Sequence, residues 1–303
     1  MNIHRKIGED LRPRLLVCPP HHFAVSYSIN PWMDPQAWAN SAATLHKKAQ
    51  VQWVELVRTL TTAGAEIESV EPAVGLPDLV FTANAAVVLD RKAVLSRFRH
   101  GERRREEPVF AEAFARLKAR GLVDEILRLP DGFAFEGAGD CIFDTHRCQF
   151  WMGCGFRSDD AAAPALEQLL GVRCVPLPLA DASFYHLDTA FCVLPCGTVI
   201  YYPGAFTPAA LATIYEGIAP QKLIPIDRAD AACFAANAVR VERSIILSSC
   251  SADLRYALMA RGYAILETPL DVFHRSGGSA SCLILRLDYQ SRVATGSCCK
   301  PAG

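Results

Sequence analysis

No run of apolar residues in this sequence reaches the roughly 18 to 20 that a membrane span needs. Residues 1–13 are charged and lack the hydrophobic centre of a signal segment. A soluble, cytoplasmic protein is the expectation. Charge of one sign is also lacking: 31 Lys and Arg stand against 32 Asp and Glu, a formal net charge of −1. That excludes the broad field that gathers nucleic acid or an anionic membrane, and leaves a small molecule as the expected partner. None of the twelve cysteines falls in Cys-x-x-Cys spacing, so zinc and dithiol redox sites lack their signature. Most are expected to be reduced and buried, and Cys298 and Cys299 lie side by side near the end. No glycine-rich nucleotide motif is visible either, and no cofactor is expected.

What is present is a 51% apolar fraction over 303 residues, ample for a large core. One catalytic domain over residues 1–303 is expected, and such a composition also permits a homo-oligomer. Paired β-rich runs are split by short polar turns: 85–89 against 93–97, 141–144 against 148–153, 190–194 against 199–203, and 238–241 against 245–249. Helical patterns at 109–120, 161–170, 208–215 and 252–261 separate them. A more degenerate unit fits a strand at 15–20 followed by a helix at 34–63, and a last strand at 282–287 closes the set. The period is about fifty residues, the signature of units that bury their faces against one another.

Polar residues recur at the entry to these hairpins. Asp78 and Asn84 precede one, Glu136 and Asp140 the next, His186 and Asp188 the next, and Asn237 the next, while Cys282 opens the final strand. Turn formers explain any one of them. A shared site explains them together. Ser276-Gly-Gly-Ser-Ala-Ser-Cys282 delivers a cysteine on a loop of small residues, where backbone and ligand can approach closely. A thiol attacks only as thiolate and needs a base or cation beside it. His186 stands at the repeated position, whereas His21 and His22 lie in an N-terminal loop and His46 on an amphipathic helix. Its near-neutral pKa suits protonation of a leaving amine and then deprotonation of water. Glu136, between aromatic residues and glycines, suits orientation of that imidazole. Arg103, Arg104 and Arg105 run straight into Glu106 and Glu107, the pattern of a solvated helix start, with room for one arginine to turn inward.

Leu76-Pro-Asp-Leu-Val-Phe-Thr-Ala-Asn84, Phe135-Glu-Gly-Ala-Gly-Asp140, Tyr185-His-Leu-Asp188 and Gly277-Gly-Ser-Ala-Ser-Cys282 together resemble the guanidine-modifying superfamily of arginine deiminases, dimethylarginine dimethylaminohydrolases and amidinotransferases. The ordered match runs from Val17-Cys-Pro-Pro to the terminal cysteine. It implies an α/β fold, the five-bladed α/β-propeller or pentein with pseudo-fivefold ββαβ repeats. It implies Cys282 as nucleophile, His186 as acid and base, Glu136 as the carboxylate partner of histidine and substrate, and Asp78 and Asn237 among the substrate-binding residues. Arg103 and Arg157 match arginines that hold the substrate α-carboxylate, with Arg97 and Arg99 as rivals for the first. Where the dimethylarginine hydrolases carry Phe-x-Glu-Asp, this chain has Phe81-Thr-Ala-Asn84. An amide both donates and accepts, so Asn84 admits a neutral ureido oxygen. With Asn30 in Ile29-Asn-Pro-Trp-Met33, and with Cys233-Phe-Ala-Ala-Asn-Ala-Val239, the chain is similar to the arginine dihydrolase branch. The expectation is hydrolysis of arginine through citrulline to ornithine. Deimination alone, hydrolysis of methylarginine or another guanidino or ureido acid, amidinotransfer, and a non-catalytic arginine sensor are the alternatives.

Overall fold

The computed structural model describes residues 12–291, so Cys298, Cys299 and most of the charged stretch at 1–13 lie outside the described residues. Five sheets of three strands form the framework. In each, a central strand pairs antiparallel with one neighbour and parallel with the other. Ala86–Leu89, Lys92–Leu95 and Glu125–Arg128 make one such sheet. Cys141–Asp144, Gln149–Cys154 and Cys174–Pro178 make the next, then Phe191–Val193, Val199–Tyr201 and Leu223–Pro225. Val239–Val241, Ser244–Leu247 and Ala264–Glu267 follow. The fifth joins the two ends of the described chain: Leu285–Arg286 runs antiparallel to Arg14–Val17, which is parallel to Glu66–Ser69.

Each parallel partner is reached through a helix, as a crossover of this kind demands. Ala42–Thr62 shows why these segments dock: Leu45, Ala49, Gln52, Leu56 and Leu60 are buried at spacings of three and four, one face of a helix. Where a single helix was expected over 34–63 there are two. Asp34 caps Pro35–Ala39 by accepting from the Ala37 N–H, and Ser41 at φ −142°, ψ 22° breaks the path before Ala42. The helix expected from 109 starts earlier, as Glu106–Ala119, because Pro108 is tolerated in a first turn and Glu106 and Glu107 complement the helix dipole. Hairpin limits shift by one or two residues. Asp90 and Arg91, at φ 50° and 62°, form a two-residue left-handed turn, so Lys92 is already in the strand.

One larger correction concerns the cysteine. Residue 282 does not open a strand: it lies in a turn in which the Leu283 N–H donates to Ser279 O (3.3 Å), and the strand is only Leu285–Arg286. Among the described residues, no helix is long and apolar enough to cross a membrane.

Candidate active site

Tight 3-10 turns, not the strands themselves, set the polar side chains. Pro77–Val80 carries Asp78, Thr82–Ala85 carries Asn84, Gly137–Gly139 follows Glu136, and Leu187–Thr189 follows His186 and carries Asp188. Each turn precedes the first strand of a hairpin. Together with Asn30, Arg103, Arg157 and Cys282, the side chains of Asp78, Asn84 and His186 line one pocket with about 260 Å³ of empty space, part of it open to solvent. Seven of the nine sequence candidates thus face one space. Glu136 and Asn237 do not line it and stand one layer behind, both fully buried.

Cys282 is held from three sides. Asn237 Oδ1 accepts from the N–H groups of Ser279 (3.1 Å) and Cys282 (3.2 Å), while Asn237 Nδ2 donates to Asp188 O (2.8 Å) and lies 3.1 Å from the sulfur. All four hydrogen-bonding capacities of that amide are spent inside the protein, so Asn237 positions the thiol and has none left for a substrate. Gly277, at φ 80°, and Gly278, whose added Cβ would stand 2.7 Å from the Phe81 ring, let the loop fold this closely. The sulfur also lies 3.2 and 3.4 Å from the two carboxylate oxygens of Asp188. Burial first, and Asp188 second, push the Cys282 thiol well above its ordinary value. Burial also lifts Asp188 to about 7 against the pull of Cys282 and Asn237.

His186 Nε2 meets Glu136 Oε2 at 2.8 Å. Despite its burial, Arg157 and His186 hold the Glu136 carboxyl well below the usual range. Burial drives His186 down to about 4, Glu136 opposing. The resting pair is therefore a carboxylate accepting from a neutral imidazole through Nε2–H, which leaves Nδ1 as the free ring nitrogen. Glu136→Gln would put an amide where an anion both orients the ring and stabilises its cation. We expect kcat to fall by about 10³-fold or more in steady-state assays while the protein remains folded by circular dichroism.

Arg157 donates to Glu136 Oε2 (3.1 Å) and Ile29 O (3.1 Å), and its guanidinium lies 4.3 Å over the Tyr185 ring. Asn30 Nδ2 donates to Ser276 O (3.0 Å), joining the segment over the pocket to the cysteine loop. Of the rival arginines, Arg97 pairs with Asp131 near the surface and Arg99 with Asp159, whereas Arg103 is buried at the pocket wall. Arg103, expected to hold a substrate carboxylate, has its Nε and Nη2 taken by Glu106 (3.0 and 2.7 Å), which leaves little of its fork for one. Asp78 accepts from Tyr27 Oη (2.9 Å) through one oxygen, and its other oxygen is buried without a hydrogen-bond partner. Burial raises Asp78 above its ordinary value although Arg103 opposes. Buried acids outnumber buried arginines around the pocket, Asp78, Glu106, Glu136, Asp140 and Asp188 against Arg103 and Arg157. Burial raises all of these acids except Glu136, and a cationic ligand would favour their ionised forms.

Two contributors had no role assigned from sequence. Asp188, two residues after His186, touches the sulfur, and its His-x-Asp spacing in a 3-10 turn was the available signal. Glu106 is 0% exposed, in a run that reads as solvated charge. Among the described residues, no group of three or more His, Cys, Asp or Glu side chains could hold a metal ion.

The family model for eukaryotic N,N-dimethylarginine dimethylhydrolases matches residues 20–288. The bifunctional arginine dihydrolase/ornithine cyclodeaminase AgrE of Nostoc sp. is 44% identical over 276 residues, 91% of this chain but 38% of that protein. This chain thus spans well under half the length of that relative. The N(G),N(G)-dimethylarginine dimethylaminohydrolase of Mycobacterium tuberculosis is 34% identical over 274 residues, covering 90% of this chain and 85% of that one. Among solved structures, the substrate-bound cysteine-to-serine variant of the N-terminal domain of ArgZ, a cyanobacterial arginine dihydrolase, superposes with a TM-score of 0.85 at 40% identity. That match covers 92% of this chain and all of the other.

Proposed function

This chain belongs to the N,N-dimethylarginine dimethylhydrolase family, and from that premise we propose that it is a cysteine-dependent hydrolase converting arginine through citrulline to ornithine, ammonia and carbon dioxide. The observation that carries the choice of substrate is Asn84, a neutral amide at the pocket wall beside Arg103 (Nη1 to Oδ1, 2.8 Å). A carboxylate there would favour a cation throughout. An amide tolerates the uncharged ureido intermediate as well.

In this reading the guanidinium of arginine enters between Asp188 and Asp78, and its charge lowers the cost of ionising the Cys282 thiol beside it. The thiolate attacks the guanidinium carbon, and the C–N bond breaks as His186, having taken up the thiol proton, delivers it to the departing ammonia. The resulting amidino-thioether is hydrolysed by water that His186 deprotonates, expelling the thiolate and giving citrulline. A second attack, on the ureido carbon, and a second hydrolysis yield ornithine, a second ammonia and carbon dioxide. Arg157, with N–H donors to spare, would hold the α-carboxylate. Residues 1–303 are read as one catalytic domain, and the five three-stranded sheets as the blades of a pentein propeller. The entries to three of them line one pocket through Asp78, Asn84, His186 and Cys282, and those to the other two place Glu136 and Asn237 directly behind it, which supports that arrangement.

The test is product analysis of the pure protein over arginine, citrulline, methylated arginines and agmatine. Ornithine with two ammonia per arginine and a transient of citrulline is the expected result. Neither product from arginine overturns the proposal, citrulline alone reduces it to a deiminase, and methylamine released from methylarginine favours a dimethylarginine hydrolase.

A further inference from the structure

Asn84 can serve a neutral ureido group only if its amide points the right way. Its Oδ1 accepts from Arg103 Nη1 (2.8 Å), and its Nδ2 lies 3.4 Å from Glu136 O. Because Arg103 has no acceptor to offer, the oxygen must face the arginine. The opposite flip would set the amide N–H groups against guanidinium N–H groups in a buried site. On the other side, a Cβ at Gly139 would stand 2.2 Å from Asn84 Nδ2 and 3.4 Å from the His186 ring, so the amide donor occupies the space beside the imidazole. There a donor meets a ureido oxygen favourably, whereas a guanidinium nitrogen has only hydrogens to present.

Arg103 does not hold that pose alone. Glu106, three residues on and fully buried, takes Nε (3.0 Å) and Nη2 (2.7 Å), Asp78 O accepts from Nη2 (3.2 Å), and the guanidinium plane sits 4.4 Å from the Phe98 ring centroid. Four of its five N–H groups are thereby directed. We propose that Glu106 is a positioning residue for the second hydrolysis: through Arg103 it fixes the Asn84 amide with its NH2 toward His186, so that the pocket accepts the neutral ureido intermediate. This rests on the two-round reading above and adds to it a residue that never meets the substrate. The first round depends on it less, because a guanidinium is drawn in by Asp188 and Asp78.

Glu106→Gln tests it. The glutamine keeps the shape but offers Arg103 one acceptor and a competing donor, which frees the guanidinium to turn and the amide to flip. We expect kcat/KM for citrulline to drop at least about tenfold more than for arginine, with citrulline accumulating when arginine is supplied. In the inactive Cys282→Ala background, calorimetry should show Glu106→Gln weakening citrulline binding more than arginine binding. Adding Asn84→Ala, which leaves no amide to orient, should remove that difference. Glu106→Asp, which retains the charge, should fall between wild type and Glu106→Gln in both measurements and serves as the variant to read if the glutamine form does not fold. Equal losses for the two substrates, or a selective loss that persists without the Asn84 amide, would overturn the positioning role. Wild-type protein is assayed on citrulline first. Failure to form ornithine there sinks the two-round reaction, whereas ornithine from wild type with an unchanged substrate ratio in Glu106→Gln sinks only the role of Glu106.

Discussion

Alanine at position 282 is expected to lower kcat by at least about 10⁴-fold with arginine, because Cys282 carries the one thiol among the residues lining the pocket and the amidino-thioether forms on it. The loss should appear without unfolding. The side chain is small and buried, so removing its sulfur costs stability about as much as a modest core truncation, on the order of 1 kcal/mol. Single-turnover assays followed by mass spectrometry make the claim sharper: a covalent adduct that forms on wild-type protein with a slow substrate should be absent from Cys282→Ala. Turnover within tenfold of wild type would end the assignment of the nucleophile. The same geometry bears on reactivity at rest. With the thiol pushed well above its ordinary value and His186 down to about 4, neither member is charged in the empty site at neutral pH. Iodoacetamide, which is neutral, should therefore alkylate Cys282 slowly at pH 7 and faster as pH rises, while a cationic haloacetamidine should react rapidly.

The repeat was readable from sequence because each hairpin pairs β-branched or aromatic runs across a short turn, a local signal. The third strand of each sheet was less so. Glu66–Ser69, Glu125–Arg128 and Ala264–Glu267 are four residues long and partly exposed, and each is a strand only because a distant central strand offers it parallel partners. Residues 282–287 misled in the other direction. Cys-Leu-Ile-Leu has the composition of a buried strand, but the hydrogen bonds from Ser279 and Cys282 to Asn237 wind the chain into a turn before pairing can begin. The chemistry-bearing residues were legible as types at recurring places. Which of them meet the ligand was not, because that depends on partners far away in sequence: Asn237 is consumed by Asp188 and the cysteine loop, and Arg103 is turned inward by Glu106. The spacing of those two, three apart on a helical path, puts them on one face, yet only burial decides whether that face is wet.

Asp188→Asn is expected to produce two effects of opposite sign, and that combination distinguishes a substrate-binding carboxylate from a structural one. Standing 3.2 Å from the sulfur, the Asp188 anion opposes thiolate formation in the empty site, an arrangement that makes chemical sense only if a cation arrives to offset both charges. Removing the charge leaves an arriving guanidinium short of a buried partner. By the cost of breaking a buried pair, about 3–5 kcal/mol, kcat/KM for arginine should fall by about 10²- to 10⁴-fold. Citrulline, being neutral, should lose much less. Meanwhile the thiol, relieved of its anionic neighbour, should react faster with iodoacetamide at pH 7. The pH dependence follows with the same sign: burial lifts Asp188 to about 7, so as pH rises through that value the site gains the anion. Arginine kcat/KM should climb across this range in wild type and lose that climb in Asp188→Asn, with citrulline kcat/KM showing no such climb in either. A variant that loses arginine and citrulline turnover equally, with iodoacetamide reactivity unchanged or slower, would mean that Asp188 merely supports the loop through its backbone contact to Asn237.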